Sequence, residues 1–194
     1  MAADLGLEPQ TLRRLEVGWA KAYDAWSFPM FDADHRVVGI RLRRPNGRKF
    51  AVRGGREGLF VPTGLPTGIP RLLVAEGPTD TAAILGLGFE AVGRSSCTGG
   101  AKLLVTLARG RRVREVVIVA DADEPGRRGA ESLATALLPY VDVVRVIVPP
   151  DGIKDARAWV RAGASAGDVH AAIESAAARR IRLAVASSRG EVRP

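Results

Sequence analysis

The segment between residues 71 and 163 alternates short apolar runs with helical patterns, and this alternation constrains the fold more than any other feature. The apolar runs predict four strands: RLLVAEG (71–77), FEAVG (89–93), REVVIVADAD (114–123) and VDVVRVIVPP (141–150). The helical patterns that follow them cover residues 79–88, 99–110, 127–140 and 154–163. Strands that are apolar along their whole length are buried on both faces. We therefore expect an α/β fold, in which a four-stranded parallel sheet carries helices on both faces.

The remaining sequence flanks this α/β region, which we bound at residues 71–165. Residues 1–62 predict a small, basic, strand-rich α+β subdomain, with a helix over Pro9 to Trp19 and strands over 26–33, 35–44 and 49–54. Residues 63–70 are rich in Gly and Pro and predict a linker. Residues 166–194 predict a C-terminal helix, over Val169 to Ser187, and a basic tail.

Charge and metal-ligand content limit the classes of function. The 194 residues contain 29 Lys and Arg against 21 Asp and Glu, a formal charge of +8 that favours an anionic partner, above all nucleic acid. One Cys and two His cannot form a zinc site of the Cys or His type, so a bound metal must rely on oxygen ligands. The sequence has no secretory signal and no apolar run of the ~20 residues that a membrane span requires. We expect a cytoplasmic protein that does not contact a membrane.

Acidic residues follow the two most apolar strands. Glu76 ends the first strand, and Asp121 and Asp123 end the third. Two carboxylates two residues apart on an extended chain point to the same side, and Glu76 lies beside them if these strands are neighbours. Such carboxylates suit Mg²⁺ or Mn²⁺. Asp80 and Asp155 fall in the same positional class, with helix N-capping as their alternative role.

Positive charge is concentrated in the strand-rich segment. Between residues 36 and 56 there is no acid, and the eight bases are Arg36, Arg41, Arg43, Arg44, Arg48, Lys49, Arg53 and Arg56. Unbalanced bases repel one another unless phosphate is near, so we interpret them as a nucleic-acid track rather than an ordinary solvated face. Lys102 and Arg127 are further candidates for phosphate contact. Four phenylalanines are interleaved with the track, and core packing is favoured over base stacking for them: Phe28, Phe31, Phe50 and Phe60.

Two motifs together resemble the Toprim domain of DnaG-type primases. They are Val74-Ala-Glu-Gly-Pro-Thr-Asp80 and Ala120-Asp-Ala-Asp-Glu-Pro-Gly-Arg-Arg-Gly-Ala130, and the resemblance covers about residues 71 to 163. The basic segment before the linker resembles the one that precedes Toprim in phage and plasmid primases. The resemblance implies Glu76 as general acid or base or metal ligand, Asp121 and Asp123 as metal ligands, and Asp80 and Asp155 in a wider acidic cluster.

The activity that this resemblance implies is Mg²⁺- or Mn²⁺-dependent synthesis of short RNA primers on single-stranded DNA. Ribonucleoside triphosphates would be the substrates, and a replicative helicase is a further candidate partner. The chain departs from the primase pattern at Arg157, where the family usually carries a further acid, and the sequence contains no zinc-binding module and no helicase domain.

Three alternatives remain open from the sequence. A Toprim nuclease would use the same acids to hydrolyse a phosphodiester, and an accessory protein would keep the fold and only bind nucleic acid. A doubly wound nucleotide-binding domain would carry a G-x-G-x-x-G turn after the first strand, and Glu76-Gly-Pro-Thr-Asp80 is not such a turn.

Overall fold

The computed structural model describes residues 2–181 and contains nine strands and seven α-helices in that range. The strands are β1 (Gly18–Ala20), β2 (Ala25–Phe31), β3 (Val37–Arg43), β4 (Lys49–Ala51), β5 (Leu59–Phe60), β6 (Arg71–Glu76), β7 (Ala91–Arg94), β8 (Glu115–Val119) and β9 (Val143–Ile147). The helices are α1 (Ala2–Leu5), α2 (Pro9–Arg14), α3 (Pro78–Gly86), α4 (Ala101–Gly110), α5 (Glu124–Leu137), α6 (Ala156–Arg161) and α7 (Ala166–Ser175). Within residues 2–181, no helix is long and apolar enough to cross a bilayer.

The predicted parallel sheet is confirmed. Strands β7, β6, β8 and β9 pair side by side in that order, and all three pairings are parallel. Apart from charged residues, most of them at the strand ends, their side chains are apolar, and those of Leu73 and Val117 are completely buried. Alternate residues along the strands enter two separate cores, one with α3, α6 and α7 and the other with α4 and α5. The sheet is therefore covered by helices on both faces, as the apolar strands predict.

The strand-rich segment joins the same sheet. Strands β4, β3 and β2 form an antiparallel meander, and β5 pairs antiparallel with both β2 and β7. One continuous sheet thus runs from β4 to β9, and β1 pairs with β2 beside this path. The division into residues 1–62, 63–70, 71–165 and 166–194 stays a prediction. The continuous sheet brings the basic strands to a fixed position beside the parallel strands.

The predicted helix over Pro9 to Trp19 is wrong in its second half. Helix α2 ends at Arg14, and Glu16 has a left-handed backbone with φ of 54°. Trp19 lies in β1, opposite Trp26 of β2. The helical spacing of Leu12, Leu15 and Val17 did not reveal this, because strand pairing with β2 is a tertiary contact that overrides local preference.

The predicted C-terminal helix is also wrong at its end. Helix α7 begins after Ser165, whose side chain and Asp168 form a capping box, and it ends at Ser175. Val169 and Ile173 are fully buried as the apolar stripe requires, but Ile181 is 55% exposed. Arg179 instead pairs with Val144 in an isolated antiparallel bridge beside β9. The remainder of the predicted helix, 182–187, and the predicted basic tail lie outside the described residues.

Candidate active site

Glu76 and Asp121 lie at the carboxyl edge of two adjacent parallel strands. Glu76 is the last residue of β6, and Asp121 follows β8 by two residues. Val74 of β6 is in register with Ile118 of β8, so the two acids emerge from the sheet at nearly the same level. Ligands of open α/β sheets typically bind beyond the carboxyl ends of the strands, which is where these two acids lie. The predicted proximity of these strands is confirmed.

Asp123 reaches the same region by a different route from the predicted one. The predicted strand over residues 114–123 stops at Val119, and the chain turns away before Asp123. The alternation of an extended chain therefore does not apply to Asp121 and Asp123. Asp123 is the N-cap of α5, where its carboxylate accepts a hydrogen bond of 2.9 Å from the Gly126 N–H. Its charge still acts on both Glu76 and Asp121.

Asp80 and Asp155 come from two helices that pack together, α3 and α6. Asp155 is the N-cap of α6 and accepts a 2.7 Å hydrogen bond from the Ala158 N–H. Asp80 is not a cap, because the N-cap of α3 is Gly77, whose φ of 86° suits glycine. Instead, the buried Asp80 carboxylate accepts a 3.0 Å hydrogen bond from the Arg157 N–H across the helix interface. N-capping is therefore correct for Asp155 and wrong for Asp80.

A cavity of about 170 Å³ connects these acids with the basic strands. Acidic side chains and basic side chains, the latter from β3, β4 and the loop before α6, both line it. The acids are Glu76, Asp80, Asp121 and Asp155, and the bases are Arg41, Arg43, Lys49 and Lys154. A cavity with carboxylates facing guanidinium and ammonium groups can hold a cation and a polyphosphate side by side.

The carboxylates of this cavity are crowded. Burial, followed by charge repulsion from Glu76, Asp80, Asp155 and Asp123, raises the pKa of Asp121 to about 7. Burial and the neighbouring Asp155 raise the pKa of Asp80 to about 6, although the Arg157 N–H opposes the rise. Burial likewise raises the pKa of Glu76, against the attraction of Arg94. Each of these shifts means that a negative charge here is short of compensation, which a bound cation would supply.

The acidic residues suit an ion such as Mg²⁺ that is bound by few protein ligands, rather than an ion enclosed by protein ligands alone. In the part of the chain that the structure describes, no three acidic, His or Cys side chains are grouped closely enough to enclose a metal by themselves. Mg²⁺ does not need such a cage, since it keeps several waters and is commonly held by one or two carboxylates together with substrate phosphates. Glu76 and Asp121 have the right chemistry and location for this mode of binding.

Three basic residues of the site were missed by sequence reasoning. Arg94 ends β7 in register with Glu76 and is only 4% exposed, and its position at a strand terminus was the available signal. Lys154 lines the cavity and its charge lowers the pKa of Glu76. Arg157, which stands where the resembled family has an acid, has a buried Nε with no hydrogen-bond partner among the described residues.

The predicted nucleic-acid residues separate into two groups. Arg41, Arg43 and Lys49 line the cavity. The other five lie away from it: Arg44, Arg48, Arg53, Lys102 and Arg127. Of these, the Arg44 guanidinium lies over the Phe50 ring at 5.5 Å, and Arg127 borders a separate groove. The preference for core packing is confirmed for Phe28, Phe31 and Phe60, which are at most 2% exposed.

No protein-family model matches the sequence, and no curated protein sequence matches it. Solved structures do match the fold. The primase catalytic core of E. coli aligns with a TM-score of 0.70 at 21% identity, over 91% of this chain and 72% of that one. A DnaG primase catalytic domain bound to single-stranded DNA aligns with a TM-score of 0.70 at 21% identity, over 91% and 70%.

A third match comes from a bacteriophage. The primase fragment of the bacteriophage T7 primase-helicase protein aligns with a TM-score of 0.69 at 19% identity, over 88% of this chain and 72% of that one. These alignments cover 88–91% of this chain. The chain therefore has the fold of DnaG-type primase catalytic cores, as the resemblance of its two motifs implies.

Proposed function

We propose that this chain is a primase catalytic domain that joins ribonucleotides into short primers on a single-stranded DNA template. The observation that carries the proposal is the cavity at the carboxyl edge of β6 and β8, where crowded carboxylates face bases of the antiparallel strands. Nucleotidyl transfer needs both the carboxylates and the bases. The reacting phosphates are anionic, so the reaction requires a metal cation, which carboxylates hold, together with basic side chains. The fold similarity to primase catalytic cores supports the same assignment.

Metal binding is assigned to the acids of the cavity and to Asp123, whose charge acts on Glu76 and Asp121 from the start of α5. Asp121 and Asp123 would hold Mg²⁺ or Mn²⁺ with Glu76 beside them, and Asp80 and Asp155 would act as outer ligands. When bound, the metal would stabilise the charge that develops at the attacked α-phosphate and increase the acidity of the 3′-hydroxyl. Glu76, with its raised pKa, is suited to accept the proton of that hydroxyl at a carboxylate oxygen.

Phosphate binding is assigned to basic residues of the cavity and to Arg157 at the start of α6. Arg41, Arg43 and Lys49 would hold the triphosphate or the template backbone, because they extend into the cavity from adjacent strands. Arg157 would add a guanidinium whose buried Nε awaits an acceptor. Arginine suits this role because its planar group binds phosphate oxygens in pairs.

The partners follow from this assignment. Single-stranded DNA would be the template, and ribonucleoside triphosphates would be the substrates. A replicative helicase is the proposed protein partner, since the T7 neighbour is a fragment of a primase-helicase protein.

One assay separates the candidate functions. The protein is incubated with a single-stranded DNA template, the four ribonucleoside triphosphates and Mg²⁺, and the products are resolved on a denaturing gel. New oligonucleotides support a primase, shortened template supports a nuclease, and tight binding without either product supports an accessory protein.

A double variant tests the metal assignment. Asp121→Asn with Asp123→Asn should lower product formation at least ~100-fold, because a carboxamide cannot neutralise a metal, while template binding persists. The matched control is Asp34→Asn with Asp142→Asn, which makes the same change of charge at acids that are about 70% exposed and lie outside the cavity. Full activity of the Asp121 and Asp123 variant would refute the metal assignment.

A further inference from the structure

Trp19 is a large aromatic residue on the surface of the basic strands. Its side chain is 44% exposed, although tryptophan is one of the most strongly buried residues on average. By contrast, the phenylalanines of the same segment at positions 28, 31 and 60 are buried in the core. An aromatic side chain that is available to stack on a ligand is therefore found at Trp19 in β1.

Strand register connects Trp19 to the phosphate-binding bases. Trp19 is opposite Trp26, Trp26 is opposite Arg43, and Arg43 is opposite Lys49. Residues directly opposite each other in antiparallel strands project from the same face of the sheet. These four residues form one row across four strands, and its Arg43 and Lys49 end lines the cavity. Neighbouring strands are about 4.8 Å apart, so Trp19 lies about 10 Å from Arg43 along this row.

Trp26 fixes the position of the Trp19 ring. The two ring centroids are 4.9 Å apart with an interplanar angle of 72°, which is an edge-to-face contact. Trp26 itself packs against the buried core that contains Phe28 and Leu15. The exposed ring is thus held by a partner that is anchored in the protein, so little side-chain entropy remains to be lost when a ligand stacks on it.

We propose that Trp19 stacks on a base of single-stranded nucleic acid whose backbone is bound by the Arg43 and Lys49 end of the row. This inference rests on the proposed function for the identity of the strand as template. Charge complementarity favours a nucleic acid over an apolar protein partner, because the chain segment from residue 36 to 56, which supplies Arg43 and Lys49, contains eight bases and no acid.

Binding of two oligonucleotides tests the proposal without any chemical step. The probes are a fluorescently labelled oligothymidylate 12-mer and a 12-mer of the same backbone that has abasic positions, and the dissociation constants are measured by anisotropy in Mg²⁺-free buffer. Trp19→Leu should weaken binding of the base-bearing probe about 10-fold and leave binding of the abasic probe unchanged, in line with the cost of losing one stacked base. Trp19→Phe should retain most of the affinity.

The matched control is Tyr140→Leu. Tyr140 is a similarly exposed aromatic residue, at 47%, and it follows α5 near the start of β9, outside the cavity. Unchanged binding of the base-bearing probe by Trp19→Leu would overturn the proposal, as would an equal loss for both probes or the same loss in Tyr140→Leu. Should Trp19→Leu fail to fold, quenching of wild-type tryptophan fluorescence decides the question. Quenching by the base-bearing probe alone supports stacking, and equal or absent quenching refutes it.

The outcome is independent of primer synthesis. A wild-type protein that makes no primers but shows base-dependent binding through Trp19 would lose the proposed function and keep the stacking site. A wild-type protein that makes primers while Trp19→Leu binds both probes normally would lose only the stacking site.

Discussion

Half-buried carboxylates have opposite environments at the two edges of the parallel sheet. At the amino edge, Glu115 begins β8 between two guanidinium groups, 2.5 Å from Arg71 and 2.8 Å from Arg145. Although burial opposes the change, the hydrogen bonds from these arginines lower the pKa of Glu115. At the carboxyl edge, burial and neighbouring acids raise the pKa of Asp121 to about 7. Strand β8 thus begins with Glu115, which is paired with two arginines, and leads into Asp121, which lies among other acids.

This contrast distinguishes an ion pair that stabilises the fold from a site that awaits a ligand. Arg71 also pairs with Glu174 of α7 at 3.0 Å, so the amino edge forms a network that holds a helix against the sheet. The carboxyl edge has Arg94 and Lys154 near Glu76, but burial and the neighbouring acids still keep the pKa values of Glu76 and Asp121 raised. Strongly perturbed carboxylates that line a cavity are typical of functional sites, whereas paired ones are typical of structure.

The largest expected effect comes from exchanging one glutamate for glutamine at each edge. Glu76→Gln should lower the rate of primer synthesis about 1000-fold, because it removes a charge that the reaction uses, and it should leave the protein as stable as the wild type or more so. Glu115→Gln should keep the rate within about twofold and lower the free energy of unfolding by about 1–2 kcal/mol, because two charged hydrogen bonds weaken.

Initial rates of primer synthesis and urea unfolding curves, measured on both variants, check this pair. The comparison fails if Glu115→Gln inactivates the folded protein, or if Glu76→Gln remains active. A loss of stability in Glu76→Gln would place that residue with the structural ion pairs.

A smaller effect, on triphosphate binding, is expected from Arg157, a basic residue in the first turn of α6. Arg157→Ala should weaken binding of a ribonucleoside triphosphate about 10-fold, since a charged hydrogen bond to phosphate contributes about 1.5–3 kcal/mol. Arg161→Ala, one turn further along α6, is the control and should bind as the wild type does. Equilibrium titration with a fluorescent triphosphate analogue in the presence of Mg²⁺ measures the effect. Equal affinities in the two variants would show that the Arg157 side chain does not bind the triphosphate and that this residue contributes only its backbone hydrogen bond to Asp80.

The smallest effect is a pH-dependent gain of stability in Asp121→Asn. Because folding raises the pKa of Asp121 from 3.8 to about 7, the stability tied to its proton is complete below pH 4 and is lost as the pH rises through 7. In the presence of a chelator, Asp121→Asn should therefore unfold a few degrees above the wild type at pH 8, and the difference should vanish near pH 4.

Thermal unfolding monitored by circular dichroism between pH 4 and pH 8 measures this difference. Asp142→Asn, at the amino edge, serves as the control and should show no such gain, because its carboxylate is exposed and paired with Arg114. A gain for Asp121→Asn that does not depend on pH would refute the charge explanation.

Several parts of the fold and the site could be predicted from the sequence. The apolar runs predict the four parallel strands, because burial on both faces requires uniform apolar residues. The gathering of Glu76, Asp80, Asp121 and Asp155 at one edge of the sheet could be predicted, because parallel strands place all their carboxyl ends at the same edge. Their roles as ligands are still predictions.

Other features depend on contacts between distant segments. The helical spacing around Leu15 gave no sign that Trp19 lies in a strand, because the partner strand is what fixes its conformation. The sequence predicted Asp123 at the end of a strand, but its carboxylate caps α5 by accepting a hydrogen bond from the Gly126 N–H. Arg94 was not recognised from the sequence, because its burial depends on the pairing of β7 with β6, which puts it in register with Glu76.

The sequence by itself determined the layered α/β architecture and the edge at which the acids gather, because both follow from local apolar patterns and chain direction. Only the tertiary structure decided which bases face those acids, because β5 joins the basic strands to β7 and thereby turns Arg41, Arg43 and Lys49 toward the cavity. Such pairings join residues far apart in the chain, and their free energy comes from packing that no single segment encodes.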